Sequence, residues 1–385
     1  AILVLAGLGG WRGHRAQKIR WAREEILPAI EETLEANESY SSLGYWNAFQ
    51  LERQVGRYIP DDPQLERLRR RYSTPVTIHS DPPGARVFAK PYAGVDLPWD
   101  DLGTTPIDTV PYIRGLFRWK LEMAGYQRTE DIFWTGGHRT DDGGYLLHED
   151  GSLPEEMVWV SEAGPWPYSK VIRLTGLEHM APQQLGDFLI DRYEVTNRAF
   201  QDFVDAGGYK NPAFWKDPFV DGERVLDRDE ALARFQDRTG RTGPATWEAG
   251  SFPAGRADYP VSGISWFEAM AYAEFAGKNL PTVYHWERVA LPTESPEISP
   301  LCNLAGTEVL PTGGTRSPNR FGTHDLAGNV REWCVNPDNR GGRFILGGGW
   351  NDPQYGFNDA FAQSPWDRSV TNGVRCIRYV DTSVR

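Results

Sequence analysis

The spacing of apolar residues changes at Ser73, and this change divides the chain into parts of different structure. Before Ser73, Ile26, Ile30 and Leu34 recur four residues apart, which is typical of an amphipathic helix. Prolines then interrupt the helical pattern, because proline cannot continue a helix interior. We therefore predict a helical hairpin over residues 13–73.

The remaining chain divides into three further segments. Alternation of apolar and polar residues around a Pro-Pro-Gly turn predicts short strands and a small β-sandwich over residues 74–136. The polar, glycine-rich residues 137–154 are expected to be a linker. Residues 155–385 form the large C-terminal domain, in which Thr196, Thr282 and the pair Ser265 and Glu268 predict capped helices.

Charge and composition limit the classes of partner. The formal net charge of -12 argues against nucleic acid, which requires a basic surface. The 15 tryptophans, 40 glycines and 28 prolines favour loops held by aromatic packing over long helices. The expected partner is a protein or a small polar ligand.

The N-terminal residues leave two alternatives open. Residues 1–12 are apolar over about half of the ~20 residues that a membrane helix needs. One interpretation is that they are the end of a transmembrane segment, which would anchor the protein before residue 12. The other is that they form a buried strand or a disordered end. Arg15, Lys18 and Arg20 follow without an acidic residue. We expect membrane or cell-envelope association, with the side undecided.

Five ordered blocks of the large domain resemble the formylglycine-generating enzyme, or sulfatase-modifying factor, family. They are "MVWV", "FLIDRYEVTNRAFQDFVDAGGY", "YPVSGISWFEAMAYAEFAGKNLPTVYHWERVA", "FGTHDLAGNVREW" and "GGGWNDP…TNGVRC". The resemblance implies an α+β chain whose large domain has a C-type-lectin-like fold. "SDPPGARVFA", "LGTTP" and "AGYQ" resemble a PEGA domain, and the whole layout is similar to the region after the kinase domain in bacterial Ser/Thr kinase fusions.

The sequence departs from the enzymatic branches of this family. Formylglycine-generating enzymes use copper and two cysteines in the loop after the "GGS" block, but here "WNDPQYGFNDAFAQ" contains none. A thiolate is the soft ligand that Cu(I) requires. The iron-dependent branch uses three histidines of a helical bundle, whereas the N-terminal helices here offer only His14. We therefore expect neither copper nor iron, and lean towards a protein that is not an enzyme.

Calcium is the one cofactor that the resemblance implies. The family binds it with oxygen ligands, the type that this hard ion prefers. Glu332 is the strongest candidate, and pairing of Glu332 with Arg343 or Arg375 is the alternative. The matching positions are Asn303, Leu304, Gly328, Val330 and Glu332.

The segment Gly347–Cys376 mixes aromatic and short polar residues, as binding surfaces do. We predict that it displays a ligand-binding surface, while core packing of Trp350 or Trp366 is the alternative. Variable proteins of diversity-generating retroelements share this fold branch, so hypervariability is a second possibility. An oxidoreductase with an atypical site and an exposed Cys334 or Cys376 is the competing function. The predicted ligand residues are Trp350, Asn351, Asp352, Tyr355, Phe357, Asn358, Asp359, Phe361, Trp366, Asp367 and Arg368.

Overall fold

A computed structural model describes residues 13–37, 41–136, 144–161 and 173–380, which fall into two compact units. The first unit takes in the chain up to residue 124 together with 132–147, and the second takes in 125–131 and 148 onwards. The predicted end of a transmembrane segment, residues 1–12, lies outside the described residues. Among the described helices, none combines the length and apolar character needed to cross a bilayer.

The first unit begins with more helices than the two of the predicted hairpin. Residues 13–21 are helical and run through a π-helical turn, Ala22–Ile26, into α1, Leu27–Ala36. Helix α2 is Ser42–Val55 and helix α3 is Pro63–Tyr72. The additional helix α3 arises because the Asp62 side chain accepts a hydrogen bond from the backbone N–H of Gln64, and because proline suits the first turn of a helix.

Seven strands complete the first unit. They are β1, Ser73–Asp81; β2, Arg86–Pro91; β3, Asp100–Thr104; β4, Ile107–Ile113; β5, Gly115–Glu122; β6, Thr129–Thr135; and β7, Gly144–Leu146. Their order is β4-β1-β7 in one sheet and β3-β2-β5-β6 in the other. The ring of Trp119 stacks on Phe133 with centroids 4.4 Å apart.

Strand β7 lies within the predicted linker 137–154, where it pairs in parallel with β1. The PEGA resemblance stays a prediction.

The second unit combines short helices with two small sheets. In the first sheet the central strand β9, Phe188–Asp191, pairs on one side with β8, Met157–Val160, and on the other with the last strand, β16, Ile377–Tyr379. The second sheet has the order β14-β13-β12-β15, formed by β12, Arg331–Pro337; β13, Arg343–Leu346; β14, Ala362–Gln363; and β15, Asn372–Gly373. A hairpin pairs β10, Val220–Asp221, with β11, Arg224–Val225.

The main helices of the second unit begin where their caps predict. Helix α4, Asn197–Asp205, follows Thr196, and α6, Trp266–Phe275, starts with the capping box of Ser265 and Glu268. Helix α7, Val283–Ala290, follows Thr282. Two shorter helices are α5, Arg228–Leu232, and α8, Ser295–Ile298.

Aromatic residues form the core between α4 and α6. Phe200 and Trp247 are fully buried, and the ring of Phe200 stacks on Tyr272 with centroids 5.4 Å apart. Buried aromatic side chains remove large apolar areas from water, so they stabilise a domain with little regular structure. The high tryptophan content is explained by this packing, and the predicted mixture of helix and strand is confirmed.

Candidate functional site

An open groove of about 630 Å³ lies on the second unit, at one end of the sheet that contains β12 and β13. Its walls come from four segments of the chain. They are the hairpin region 217–222, residues 266–267, the turn 337–343, and residues 362–366 at and after β14. The volume falls within the range of small-molecule sites, about 300–1,000 Å³.

Three aromatic side chains line the groove: Trp266, Phe267 and Trp366. Trp266 and Phe267 begin helix α6, so the capping box at Ser265 fixes where they lie. The half-buried ring of Trp366 lies on Phe267, with centroids 4.6 Å apart. Trp266 and Phe267 are themselves only 2% and 4% exposed, so the half-buried Trp366 presents most of the aromatic surface in the groove.

Hydrogen bonds from Trp266 and Trp366 to neighbouring segments hold this lining in place. The backbone N–H of Trp266 donates to the Pro365 carbonyl at 3.1 Å, and the Trp266 indole N–H donates to the Cys334 carbonyl at 3.0 Å. The indole N–H of Trp366 donates to the Val220 carbonyl at 2.7 Å, which joins the β10–β11 hairpin to the segment 362–366. The groove is thus preorganised by contacts that do not involve a ligand.

A half-buried arginine, Arg343, lies in the groove. Its guanidinium lies 4.1 Å from the centroid of the Trp266 ring, and its Nη1 donates to the Val335 carbonyl at 2.9 Å. Arg343 forms no ion pair with any described residue. Burial lowers the pKa of Arg343, and the charge of Asp217 partly offsets that effect.

Three carboxylates border the same groove, and two of them are already engaged. Asp221 forms an ion pair with Arg234 at 2.9 Å. Asp338 accepts hydrogen bonds from the backbone N–H groups of Arg340 and Gly342, at 2.9 Å and 2.6 Å, and so closes its own turn. The side chain of Asp217 has no ion pair or hydrogen bond within the described part of the chain. Among the described residues that line the groove, two arginines form no ion pair, the half-buried Arg343 and the exposed Arg340, and one carboxylate, Asp217, is uncommitted.

Trp366 is the one predicted ligand residue that lines the groove. Its neighbours in sequence are structural instead. The guanidinium of Arg368 pairs with the fully buried Glu268, with Nε to Oε2 at 2.9 Å and Nη2 to Oε1 at 3.0 Å. Asp367 accepts hydrogen bonds from the Ser369 backbone N–H and the Asn372 side chain, each at 2.9 Å. Arg368 and Asp367 thus stabilise the loop and are not free to hold a ligand.

Phe357 is a core residue, which corrects its predicted place on a binding surface. Its side chain is 0% exposed and its ring centroid lies 6.1 Å from that of Trp286. Asn358 donates to the Ser295 hydroxyl at 2.7 Å, and Asp359 forms a bridge to Thr175. The loop Gln354–Asn358 therefore directs one aromatic ring inward while its polar residues hold neighbouring segments.

The other predicted ligand residues lie outside the groove lining. Asp352 is paired with Arg331 at 2.7 Å, and the same guanidinium lies 4.0 Å from the centroid of the Phe361 ring. Trp350 is half-buried, with its backbone N–H and carbonyl both bonded to other segments. Asn351 is exposed, and Tyr355 is 67% exposed. None of these side chains lines the groove.

Glu332 is placed as half of a buried ion pair, which agrees with the arginine-paired alternative. Its Oε1 accepts from Arg375 Nε at 2.9 Å and Nη2 at 2.8 Å, and its Oε2 accepts from the Trp286 indole N–H at 2.8 Å. Burial raises the pKa of Glu332, and the Arg375 charge opposes that rise. Both carboxylate oxygens are therefore committed to donors.

The remaining residues of the predicted calcium set would offer backbone or amide oxygens. The Asn303 carbonyl already accepts from the Asn329 N–H at 2.8 Å, and Asn303 forms a bridge to Gly328. Leu304 and Val330 are buried, at 8% and 1% exposure. The calcium site stays a prediction. Among the described residues, no group of three or more histidine, cysteine, aspartate or glutamate side chains could hold a metal.

The cysteines are poorly placed for nucleophilic or redox chemistry. Cys334 and Cys376 are 0% exposed, and burial raises the pKa of both thiols well above the usual range. Cys302 is half-buried, and burial raises its pKa to about 12. Because the thiolate is the reactive form, none of the three is activated. The exposed thiol that an atypical oxidoreductase would need is not provided by Cys334 or Cys376.

The chain is similar in sequence to formylglycine-generating enzymes, hercynine oxygenases and serine/threonine-protein kinases. A formylglycine-generating enzyme of Thermomonospora curvata is 36% identical over 187 residues, covering 40% of this chain and 60% of that protein. A hercynine oxygenase of Mycobacterium tuberculosis is 31% identical over 174 residues, 39% of this chain and 38% of that protein. The serine/threonine-protein kinase pkn1 of Chlamydia pneumoniae is 31% identical over 161 residues, which is 23% of that protein. The chain thus spans less than two thirds of each of these relatives.

Among the solved structures that align with this chain is that of Treponema denticola variable protein 1. It aligns over 58% of this chain and 94% of that structure, with 15% identity and a TM-score of 0.36.

Residues 147–296 and 305–380 match the sulfatase-modifying factor enzyme 1-like domain, which accounts for more than half of the 385 residues. The predicted fold class is thereby confirmed: an α+β chain whose large domain is of the formylglycine-generating-enzyme type. The chain belongs to the sulfatase-modifying factor enzyme 1-like domain family.

Proposed function

We propose that the second unit is a non-catalytic binding module that holds a small ligand or a protein side chain in the groove lined by Trp266, Phe267 and Trp366. The single observation that carries this proposal is the groove itself, a concavity of about 630 Å³ whose aromatic lining is fixed by hydrogen bonds from three segments. Such a preformed site loses little conformational entropy on binding.

The state of the reactive groups supports binding over catalysis. The buried thiols of Cys334 and Cys376 are protonated at neutral pH, and Glu332 is held by Arg375. A catalytic nucleophile needs a lowered pKa or an adjacent base, and these thiols have neither.

We extend the proposal to the protein from which this module comes. The similarity to a part of a serine/threonine-protein kinase supports a role as the ligand-sensing part of such a protein. In that arrangement the first unit, with its PEGA resemblance, is a spacer close to a membrane or the cell envelope. A reading frame upstream that encodes a kinase and a membrane span would support this extension, and one that encodes neither would contradict it.

Hypervariability of the C-terminal loop would require a template repeat beside the gene.

A blocking variant tests the groove directly. Ser364 is exposed and lines the groove, so Ser364→Trp places a large side chain there without removing any buried residue. Tyr355→Ala is the matched control, because Tyr355 is 67% exposed and lies outside the groove lining.

The measurement is the thermal shift of each protein with a library of small aromatic and charged compounds. We expect compounds that raise the melting temperature of the wild type to lose this effect in Ser364→Trp and keep it in Tyr355→Ala. Hits that survive the blocking variant, or are lost with Tyr355→Ala, would contradict the proposal. A library without a single hit would count against a small-ligand site.

A further inference from the structure

We propose that the groove selects a monocarboxylate joined to an aromatic or apolar group, and that Arg343 is the residue that binds the carboxylate. This inference rests on the proposed function and specifies its ligand class. It starts from Arg343, a half-buried arginine that forms no ion pair in the described residues and lies beside an aromatic lining.

The orientation of Arg343 suits a planar anion. Stacking on Trp266 at 4.1 Å holds the plane of the guanidinium, and the bond from Nη1 to the Val335 carbonyl at 2.9 Å fixes one of its edges. The other N–H groups have no acceptor among the described residues. Guanidinium donors held in one plane match the two oxygens of a carboxylate, which gives paired, charge-assisted hydrogen bonds.

The energetics also favour an anionic ligand. A charge in a partly desolvated site is costly when it lacks a partner, and burial already lowers the pKa of Arg343. A carboxylate that enters the groove supplies the missing counter-charge. The uncommitted donors of Arg343 should therefore bind a negatively charged group more tightly than a neutral one.

The carboxylates around the groove limit how much negative charge the ligand carries. Asp217 is close enough to Arg343 to affect its pKa, yet it forms no ion pair with it. Asp221 and Asp338 add two further carboxylates to the lining. Because like charges repel in a site with restricted solvent, a dianion such as a phosphate monoester is disfavoured relative to a monocarboxylate.

The aromatic residues define the rest of the ligand. Phe267 and Trp366 lie in contact, 4.6 Å between ring centroids, in the same groove as Arg343. Phe267 is only 4% exposed, so an aromatic or apolar group attached to the carboxylate would cover the exposed part of Trp366 and gain free energy from its burial. We therefore expect 3-phenylpropionate to carry the minimum features of a ligand.

The test compares three probes by isothermal titration calorimetry on the full chain: 3-phenylpropionate, its neutral amide and phenyl phosphate. We expect 3-phenylpropionate to bind at least about tenfold more tightly than the amide, since a hydrogen bond to a charged group is worth about 1.5–3 kcal/mol. Phenyl phosphate should bind more weakly than 3-phenylpropionate.

Two variants assign these preferences to residues. Arg343→Gln should weaken 3-phenylpropionate about tenfold or more and leave the amide nearly unchanged. Asp217→Asn should improve the binding of phenyl phosphate relative to 3-phenylpropionate. Arg340→Gln is the matched control, because Arg340 is an exposed arginine on the rim of the same groove and should matter little. Melting curves of each variant establish that the fold is intact.

The outcomes separate this inference from the proposed function. If ring-bearing probes bind without preferring the carboxylate, or if Arg340→Gln weakens binding as much as Arg343→Gln, the assignment of Arg343 is overturned while the groove stands as a site. If none of the probes binds but other compounds are lost in Ser364→Trp, the ligand class alone is wrong. If no compound is sensitive to the blocking variant, both proposals fail.

Discussion

Arg375 and Glu332 form an ion pair in which both side chains are 0% exposed, with Nη2 and Oε1 at 2.8 Å. The pair joins β12 to the segment between β15 and β16, where Arg375 lies. Arg375 also donates to the Asp191 carbonyl at 2.8 Å. Removing one member of a buried pair leaves an uncompensated charge, which is far more costly than losing an exposed pair. The pair is therefore a structural support for the sheet that borders the groove.

We predict that Glu332→Ala lowers the free energy of unfolding by about 3–5 kcal/mol. Glu274→Ala is the control, because the Lys216–Glu274 pair is on the surface and such pairs contribute about 0–1 kcal/mol. Chemical denaturation measures both changes. Calcium and a chelator should give the wild type the same melting temperature. If Glu332 were a calcium ligand, ion at 100 times its dissociation constant would add about 2.7 kcal/mol to the wild type alone.

Two neighbouring aromatic residues should respond in opposite ways to truncation. Phe357→Ala should cost about 3–5 kcal/mol of stability, because Phe357 is 0% exposed and the change leaves a cavity. Tyr355→Ala should stay within about 0.5 kcal/mol, since Tyr355 is 67% exposed. Equal effects in a denaturation experiment would mean that the loop packs differently from this description.

Thiol labelling tests the burial of the cysteines. In native protein at pH 8 a maleimide should leave Cys334 and Cys376 unmodified, because both are 0% exposed and have a raised pKa. Cys302 should react slowly, since its pKa is about 12. All three should react once the protein is unfolded. Rapid native modification of Cys334 or Cys376, located by mass spectrometry, would revive the oxidoreductase alternative.

The pH dependence of stability should change when Glu287 is replaced by Gln. Burial raises the pKa of Glu287 from 4.5 to about 7, although its Oε1 accepts from the Arg173 backbone N–H at 3.0 Å. Between these two values the folded protein holds a proton that the unfolded chain releases, so this stabilising contribution is complete below pH 4.5 and is lost as the pH rises through about 7. Glutamine cannot ionise. The variant should therefore gain stability relative to the wild type over this range, by at most about 3 kcal/mol.

The comparison with the wild type removes the effect of His285. Burial lowers the pKa of His285 to about 4, so its contribution has the opposite sign, increasing as the pH rises from about 4 to 6.5. His285 is present in both proteins and cancels in their difference. Parallel curves of unfolding free energy against pH for wild type and Glu287→Gln would contradict the raised pKa of Glu287.

Local chemistry allowed the helices to be predicted, because their signals lie within a few residues of each other. Ser265 and Glu268 form the predicted capping box, and Thr282 caps α7 by accepting from the His285 N–H. The start of helix α6 sets where Trp266 and Phe267 lie on the groove, although neither was among the predicted ligand residues. Such signals need no knowledge of the rest of the fold.

The groove could not be predicted because it depends on contacts between distant segments. Nothing near Arg368 in sequence indicates that it pairs with Glu268, which lies 100 residues away. Phe357 and Tyr355 look equally suited to a surface, and only the position of Trp286 decides that Phe357 is buried. One local signal was present in "VDGERV", since Gly222 at the first central position of a two-residue loop, with a φ of 62°, is typical of the hairpin that forms a groove wall.

The most direct test of ligand binding in the groove is a titration of protein carrying ¹⁵N-labelled tryptophan, followed through its indole N–H resonances. The Trp366 indole donates to the Val220 carbonyl at 2.7 Å across the groove, so a bound ligand should change its environment. Trp366→Phe assigns the resonance. The account predicts that 3-phenylpropionate, or any hit from the compound library, shifts the Trp366 resonance in a saturable way and leaves Trp350 unchanged. If a ligand binds and shifts the Trp350 resonance but not that of Trp366, the groove is not the binding site. The loop after Gly349 would then be the site.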